Sequence, residues 1–203
     1  MSVLIYTETE QGKFKKNAGE LASYGVALAK NMGVHSVAIA FHPEDAQALS
    51  AYGVDKVLRV SHAELSSFNA KAYASAISQA AKSEAASVVV VSSSADAKYL
   101  SPLVAATLQA SYAPNVVALP ESTTPFVVKR TAFSNKGFAH TTLSAAIKMI
   151  GVANNAYGVH ENSGSTTVTD FEPSIEASQF STKTTSVDKV AGKATIADAD
   201  IVV

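Results

Sequence analysis

The sequence predicts an α/β fold, a Rossmann-like parallel sheet with helices on both faces, extended by antiparallel strands in the C-terminal third. Three observations predict it. Val88 to Val91 is an unbroken β-branched run, which marks a short strand buried on both faces. The period then changes: Leu100, Leu103, Val104 and Leu108 fall at helical spacing behind a turn of three serines. The same strand, turn and helix unit precedes this one three times, and such alternation builds a parallel sheet through right-handed crossovers.

The elements follow in order. Val3 to Tyr6 is a first buried strand, and Thr7 to Lys16 a polar connection turning at Gly12. Asn17 caps a helix to about Asn31, with Leu21, Tyr24, Leu28 and Met32 on one face and Gly33 closing it. Val37 to Phe41 is the second strand. His42-Pro43-Glu44-Asp45 opens a short helix that Gly53 ends. Lys56 to Val60 is the third strand, and Asn69 caps a helix to about Ser83 that carries Tyr73, Ile77 and Ala80 at helical spacing. The Val88–Val91 unit follows, with Pro102 near the first turn of its helix and Asp96 as the cap. Past Gln109 the helical period stops. Asn115 to Leu119 is a strand; Phe126 to Phe133 and Gly137 to Leu143 form a hairpin across Ser134-Asn135-Lys136-Gly137; Lys148 to Val152 is another strand. Thr166–Thr169 and Phe180–Val187 read as edge strands. The expected division is one α/β domain over 1–188. Residues 189–203 then serve as a linker that ends in a fresh buried-strand signal, Ala199 to Val203.

Composition narrows the function. The formal net charge is −1, from 16 Lys+Arg against 17 Asp+Glu, so no basic stripe argues for nucleic acid. Cysteine is absent, which removes disulfides, thiolate metal sites and cysteine nucleophiles. MSVLIYTETEQGK has no basic leader and reads as a strand; no stretch is long enough to span a membrane, and the cytoplasm is the expected compartment.

Sites of chemistry are sparse. No two of the 10 glycines are two or five residues apart, so the glycine cradles common in dinucleotide and triphosphate sites are missing. Ser92-Ser93-Ser94 stands between a strand and a helix, where open α/β sheets bind anions, but these hydroxyls can equally satisfy the loose N–H groups of the helix start. The five histidines fall in different elements without ligand spacing, and no metal site is expected. No G-x-S-x-G elbow occurs, and no acid/base carboxylate pair is evident. Tyrosines and phenylalanines fall at core spacing. Arg130, in the apolar strand FVVKRTAF, either grips a carboxylate or points to solvent from an edge.

Several segments, in order, resemble the N-terminal domain of an electron transfer flavoprotein α subunit. VLIYTETEQGKFKKNAGELASYGVALA is similar to its opening strand, acidic loop and first helix, and AYGVDKVLRVSH to its third strand. Leu100-Ser101-Pro102-Leu103-Val104-Ala105-Ala106 resembles the family's Leu-Ala-Pro-x-Val-Ala-Ala. KRTAFSNKGFAHTTL resembles the hairpin usually written Arg-Pro-Ile-Tyr-Ala-Gly-Asn-Ala-Leu-Ala, with Arg130 for the Arg and Phe133 for the Tyr. Asn155-Ala156-Tyr157 resembles its Asn-Ala-Phe/Tyr, and ATIADADIVV the run into the flavin domain. Two positions depart: Asn135-Lys136 replaces Gly-Asn, and Ala153-Asn154 replaces Arg-Pro.

The resemblance implies a platform domain that docks the β subunit, with Arg130, Asn135, Lys136, Asn155 and Tyr157 as interface candidates. It implies FAD in the full-length subunit, held mostly by a second domain, and none in this chain, which alone is expected to be redox-inactive. The full complex would carry electrons from dehydrogenases to an acceptor. Two other classes compete: a small nucleotide-binding protein of the universal-stress type, and an enzyme using the Ser92–Ser94 turn.

Overall fold

The structure, a computed structural model, describes residues 1–182 and 185–186. The strands are β1 (Ser2–Tyr6), β2 (Thr9–Glu10), β3 (Lys13–Phe14), β4 (His35–Phe41), β5 (Lys56–Val60), β6 (Ala86–Ser92), β7 (Ser111–Val116), β8 (Ser122–Thr123), β9 (Phe126–Ala132), β10 (Gly137–Thr142), β11 (Lys148–Val152) and β12 (Thr167–Asp170). The α-helices are α1 (Asn17–Met32), α2 (Ala70–Ser83) and α3 (Ala95–Leu108). Ten strands form one sheet ordered β10-β9-β7-β11-β6-β1-β4-β5-β12, with β8 paired to β9; β2 and β3 make a separate hairpin.

The valine run lies where its composition requires, in the middle of the sheet, flanked by β1 and β11 in parallel. Val88 to Val91 have no exposed surface, and fully burying such side chains stabilises by about 1.5–3 kcal/mol each. Alternate residues feed two layers. Leu4, Tyr6, Val89 and Val91 pack with Tyr73, Ile77, Leu100 and Val104 of α2 and α3. Val3, Ile5, Val88 and Val90 pack with Leu21, Tyr24 and Leu28 of α1, and with Phe126 and Val128 of β9. Helices therefore cover both faces, and the antiparallel hairpin completes the α1 side.

Gly33 closes α1 in the left-handed conformation, φ 64°, as its position predicts. Asn69 accepts from the N–H groups of Lys71 and Ala72 and caps α2. Other expectations need correction. Asn17 does not cap α1: it is the first helical residue, Lys16 precedes it, and the Asn17 Oδ1 is buried without a partner among the described residues. Ser94, not Asp96, caps α3, because its extended backbone aims Oγ at the Ala97 N–H while Asp96 already sits in the first turn. Pro102 stands in the helix interior on the exposed side. The short helix after Pro43 is a 3-10 helix, Ala46–Tyr52, capped by Asp45.

β7 begins at Ser111, four residues before the expected strand. Its Pro114 and the left-handed Asn115, φ 56°, disguise it; both sit beside the register shift against β11, where a strand tolerates a missing N–H. β11 is parallel and central rather than part of an antiparallel extension. β12 matches the Thr166–Thr169 expectation, parallel to β5 at one edge and tied by the Arg59–Asp170 pair. Phe180 belongs to a 3-10 helix, Ala177–Phe180, not to a strand, and half-buries its ring against the α2 side of the core. Val187, the linker at 189–197 and the Ala199–Val203 strand signal lie outside the described residues.

Candidate functional site

Strand order reverses at the β1–β6 boundary: β1 connects to β4 on one side, and β6 lies on the other. Ligands of open α/β sheets bind at the carboxyl ends of strands at such a point. Glu8 follows β1 there and is 1% exposed. The Ser94 hydroxyl donates to Glu8 Oε1 at 2.8 Å, and the Ser92 hydroxyl donates to the same oxygen. Lys15 Nζ donates to Oε2 at 3.1 Å and reaches Asp96 at 3.4 Å. The serines are also tied to the backbone: Ser92 Oγ accepts from Ser94 N–H, Ser93 donates to the Val152 carbonyl, and Ser94 accepts from Ala97 N–H. The helix-start reading of the serine run holds. The hydroxyls serve the helix start, and they bind an anion, which is the chain's own carboxylate.

Electrostatics follow from this arrangement. Burial disfavours the Lys15 ammonium, but Glu8 and then Asp96 outweigh it and raise its pKa above the usual lysine value. Tyr6 is held neutral, first by burial and then by Glu8, Tyr73 and Asp96. A pyrophosphate placed at this boundary would meet the Glu8 carboxylate.

The second locus is the loop after β11. Glu20, buried in the first turn of α1, accepts backbone N–H bonds from Asn155, Tyr157 and Gly158 at 2.8–2.9 Å. Ser23 Oγ accepts from His160 N–H. The Tyr157 ring meets the Tyr24 ring edge-on, with centroids 5.3 Å apart, and Tyr24 donates its hydroxyl proton to the Ala118 carbonyl. Burial raises the Tyr157 phenol pKa. Asn155 itself is exposed, with φ 56°. A cleft of about 570 Å³ separates this loop from the first locus; Lys15, Glu20, Ser93, Ser94 and Asn155 are among its walls.

The β9–β10 hairpin is the third locus. Among the described residues Arg130 grips no carboxylate, nor does it project freely: it is half-buried, and its Nε donates to Thr141 Oγ1 across the pair at 3.0 Å. Asn135 and Lys136 are exposed in the connecting loop, where Phe133, Ser134 and Asn135 all have positive φ. Phe133 is 87% exposed and Phe138 is 62% exposed, so two aromatic residues expected in the core stand outside it. Lys129 Nζ sits 4.5 Å above the Phe138 ring. Between Glu121 and Glu161 there is no acid, but there are Lys129, Arg130, Lys136 and Lys148. Val116 links this hairpin to the second locus. It pairs with Arg130 on one side and Val152 on the other, and its carbonyl accepts from Ala153 N–H. Arg130 is thus one strand, β7, away from β11, which leads to Asn155 and Tyr157, while Asn135 and Lys136 extend from the hairpin end.

Glu8, Lys15 and Glu20 escape sequence reasoning. A glutamate in a polar connection or a first helical turn is ordinary there. Only the tertiary contacts bury the two carboxylates. Among the described residues, no three histidines and carboxylates gather as metal ligands would.

These features define a glycine-poor, Rossmann-like domain whose switch-point crevice is filled from within and whose hairpin offers apolar and basic groups to the outside. The model of the electron transfer flavoprotein domain matches residues 3–176, and the chain belongs to that family. No curated protein matches it. Membership places the chain in an electron transfer flavoprotein complex, whose components carry electrons rather than catalyse. Among the described residues, no helix is long and apolar enough to cross a membrane.

Proposed function

We propose that this chain is the N-terminal platform of an electron transfer flavoprotein α subunit, that it docks the β subunit, and that by itself it holds no FAD. One observation carries the docking reading: the β9–β10 hairpin presents Phe133 and Phe138 to solvent within a stretch free of acids. Aromatic residues with neighbouring arginine are the groups that anchor protein interfaces. Arg130, Asn135 and Lys136 belong to the same hairpin, and Asn155 and Tyr157, in the loop after β11, are the further residues assigned to the docking surface. The filled crevice supports the second half of the reading. FAD then belongs to a further domain of the full-length subunit, and the dehydrogenases meet the assembled complex in the cytoplasm.

Two measurements test this. The purified chain mixed with the β subunit should elute as a one-to-one complex, and the chain mixed with FAD alone should stay colourless after gel filtration. Failure to pair with the β subunit, or a stoichiometric yellow complex of the chain alone, overturns the proposal.

A further inference from the structure

We propose that Glu8 is the resident anion of a closed oxyanion site at the β1–β6 boundary, and that removing it uncovers a site for inorganic phosphate. The inference is independent of β-subunit docking. It starts from the donors. Ser92 Oγ, Ser94 Oγ and Lys15 Nζ converge on one carboxylate that is 1% exposed. Two hydroxyls share Oε1 and the ammonium takes Oε2, so the donors already address two oxygens of one planar anion. A tetrahedral oxyanion presents two oxygens at comparable spacing and carries more charge. Charge-assisted bonds of this kind are about twice as strong as neutral ones.

Access and support are also present. Lys15, Ser93, Ser94 and Ala95 line the cleft of about 570 Å³ outside the site, so a small ion has a route to it. The three serines are fixed by bonds to Ser94 N–H, the Val152 carbonyl and Ala97 N–H, none of which involves Glu8. The donors are therefore held in place when the carboxylate is removed. Three carboxylates oppose an added anion: Asp96, the second partner of Lys15, and Glu10 and Glu20, which line the cleft that leads to the site. In the native chain Glu8 acts as an autoinhibitory ligand that closes the switch point to phosphate-bearing molecules.

The test uses the whole chain, with inorganic phosphate as the probe and chloride at matched ionic strength as the control. Amide shifts of Ser92 to Ala97 are followed by NMR. E8A should show saturable shifts with an affinity at least ~10-fold above wild type, the equivalent of one charged hydrogen bond gained. Adding K15A should abolish the gain, and adding D96N should strengthen it. E8Q, which leaves a side chain of the same size in the slot, should behave as wild type. If E8A does not fold in chloride, E8S is titrated in its place. If neither folds in chloride, recovery of native dispersion in phosphate supports the proposal, and its absence refutes it. A folded E8A or E8S whose amides ignore phosphate, or a wild type that binds it equally well, also refutes it.

Discussion

The Glu20 carboxylate accepts the backbone N–H of Tyr157, 137 positions further along the chain, at 2.8 Å. The same side chain holds Asn155 and Gly158. It therefore anchors a loop to the start of α1 by three charge-assisted bonds, and it sits where a negative group also favours the helix dipole.

E20A should destabilise the chain by about 2–4 kcal/mol, since three donors lose a buried acceptor but the loop can relax toward water. E20Q should recover part of the loss. Chemical denaturation measures both, and amide exchange should rise first at Asn155 to Gly158.

Gly25 faces Ile5, and a Cβ there would fall inside van der Waals contact of Ile5 Cγ1 and Cδ1. Two effects of G25A compete. Helix propensity favours alanine by about 1 kcal/mol, whereas overpacking a dense core costs about 1–3 kcal/mol. Both Gly25 and Ile5 lie between α1 and the central strand, so overpacking should win and the midpoint of denaturation should fall. I5A in the same chain should relieve the clash, making the double variant more stable than the sum of the two single effects predicts.

Lys15 gives the pH dependence its sign. Its pKa is raised in the folded chain, so its contribution to stability is complete below the unfolded lysine value of about 10.4 and disappears as pH climbs through the folded value. Wild type should lose stability in that alkaline window by more than K15Q does. Denaturation profiles of the two proteins at several alkaline pH values check this, and coincident profiles would contradict it.

The exposed rings make a prediction about assembly. F133S and F138S should each leave the fold and its stability nearly unchanged, because neither ring is buried. Each should weaken the complex with the β subunit by at least ~10-fold if it acts as an anchor. Calorimetric titration of the β subunit into each variant reads the change.

Much of the scaffold was legible from the residues, and the reasons differ from element to element. Val88–Val91 needed only its composition, because a wholly β-branched run fits a strand covered on both sides. Asn69 and Gly33 signalled helix ends through local chemistry alone. β7 was misplaced because Pro114 and Asn115 normally end strands, and only the register shift against β11 makes room for them. β11 has an unremarkable sequence, and nothing local says that it enters between β6 and β7. Arg130, Asn155 and Tyr157 stand on separate elements joined only through β7 and β11, and the hydroxyl partner of Arg130 is set by cross-strand register. Glu8 and Glu20 were invisible because the hydroxyls that meet Glu8 lie 84 or more residues away and the N–H groups that meet Glu20 lie 135 or more away.

The place of β11 also dictates an order of events during synthesis. Its neighbours β6 and β7 both leave the ribosome long before it, yet they never touch as paired strands; each bonds to opposite edges of β11. Until β11 is placed, β6 and β7 therefore each have one edge without its native partner. Such edges invite pairing with other chains. Lys148 to Val152 supply that partner to both, and they join the β7-β9-β10 side of the sheet, with Phe133 and Phe138, to the rest.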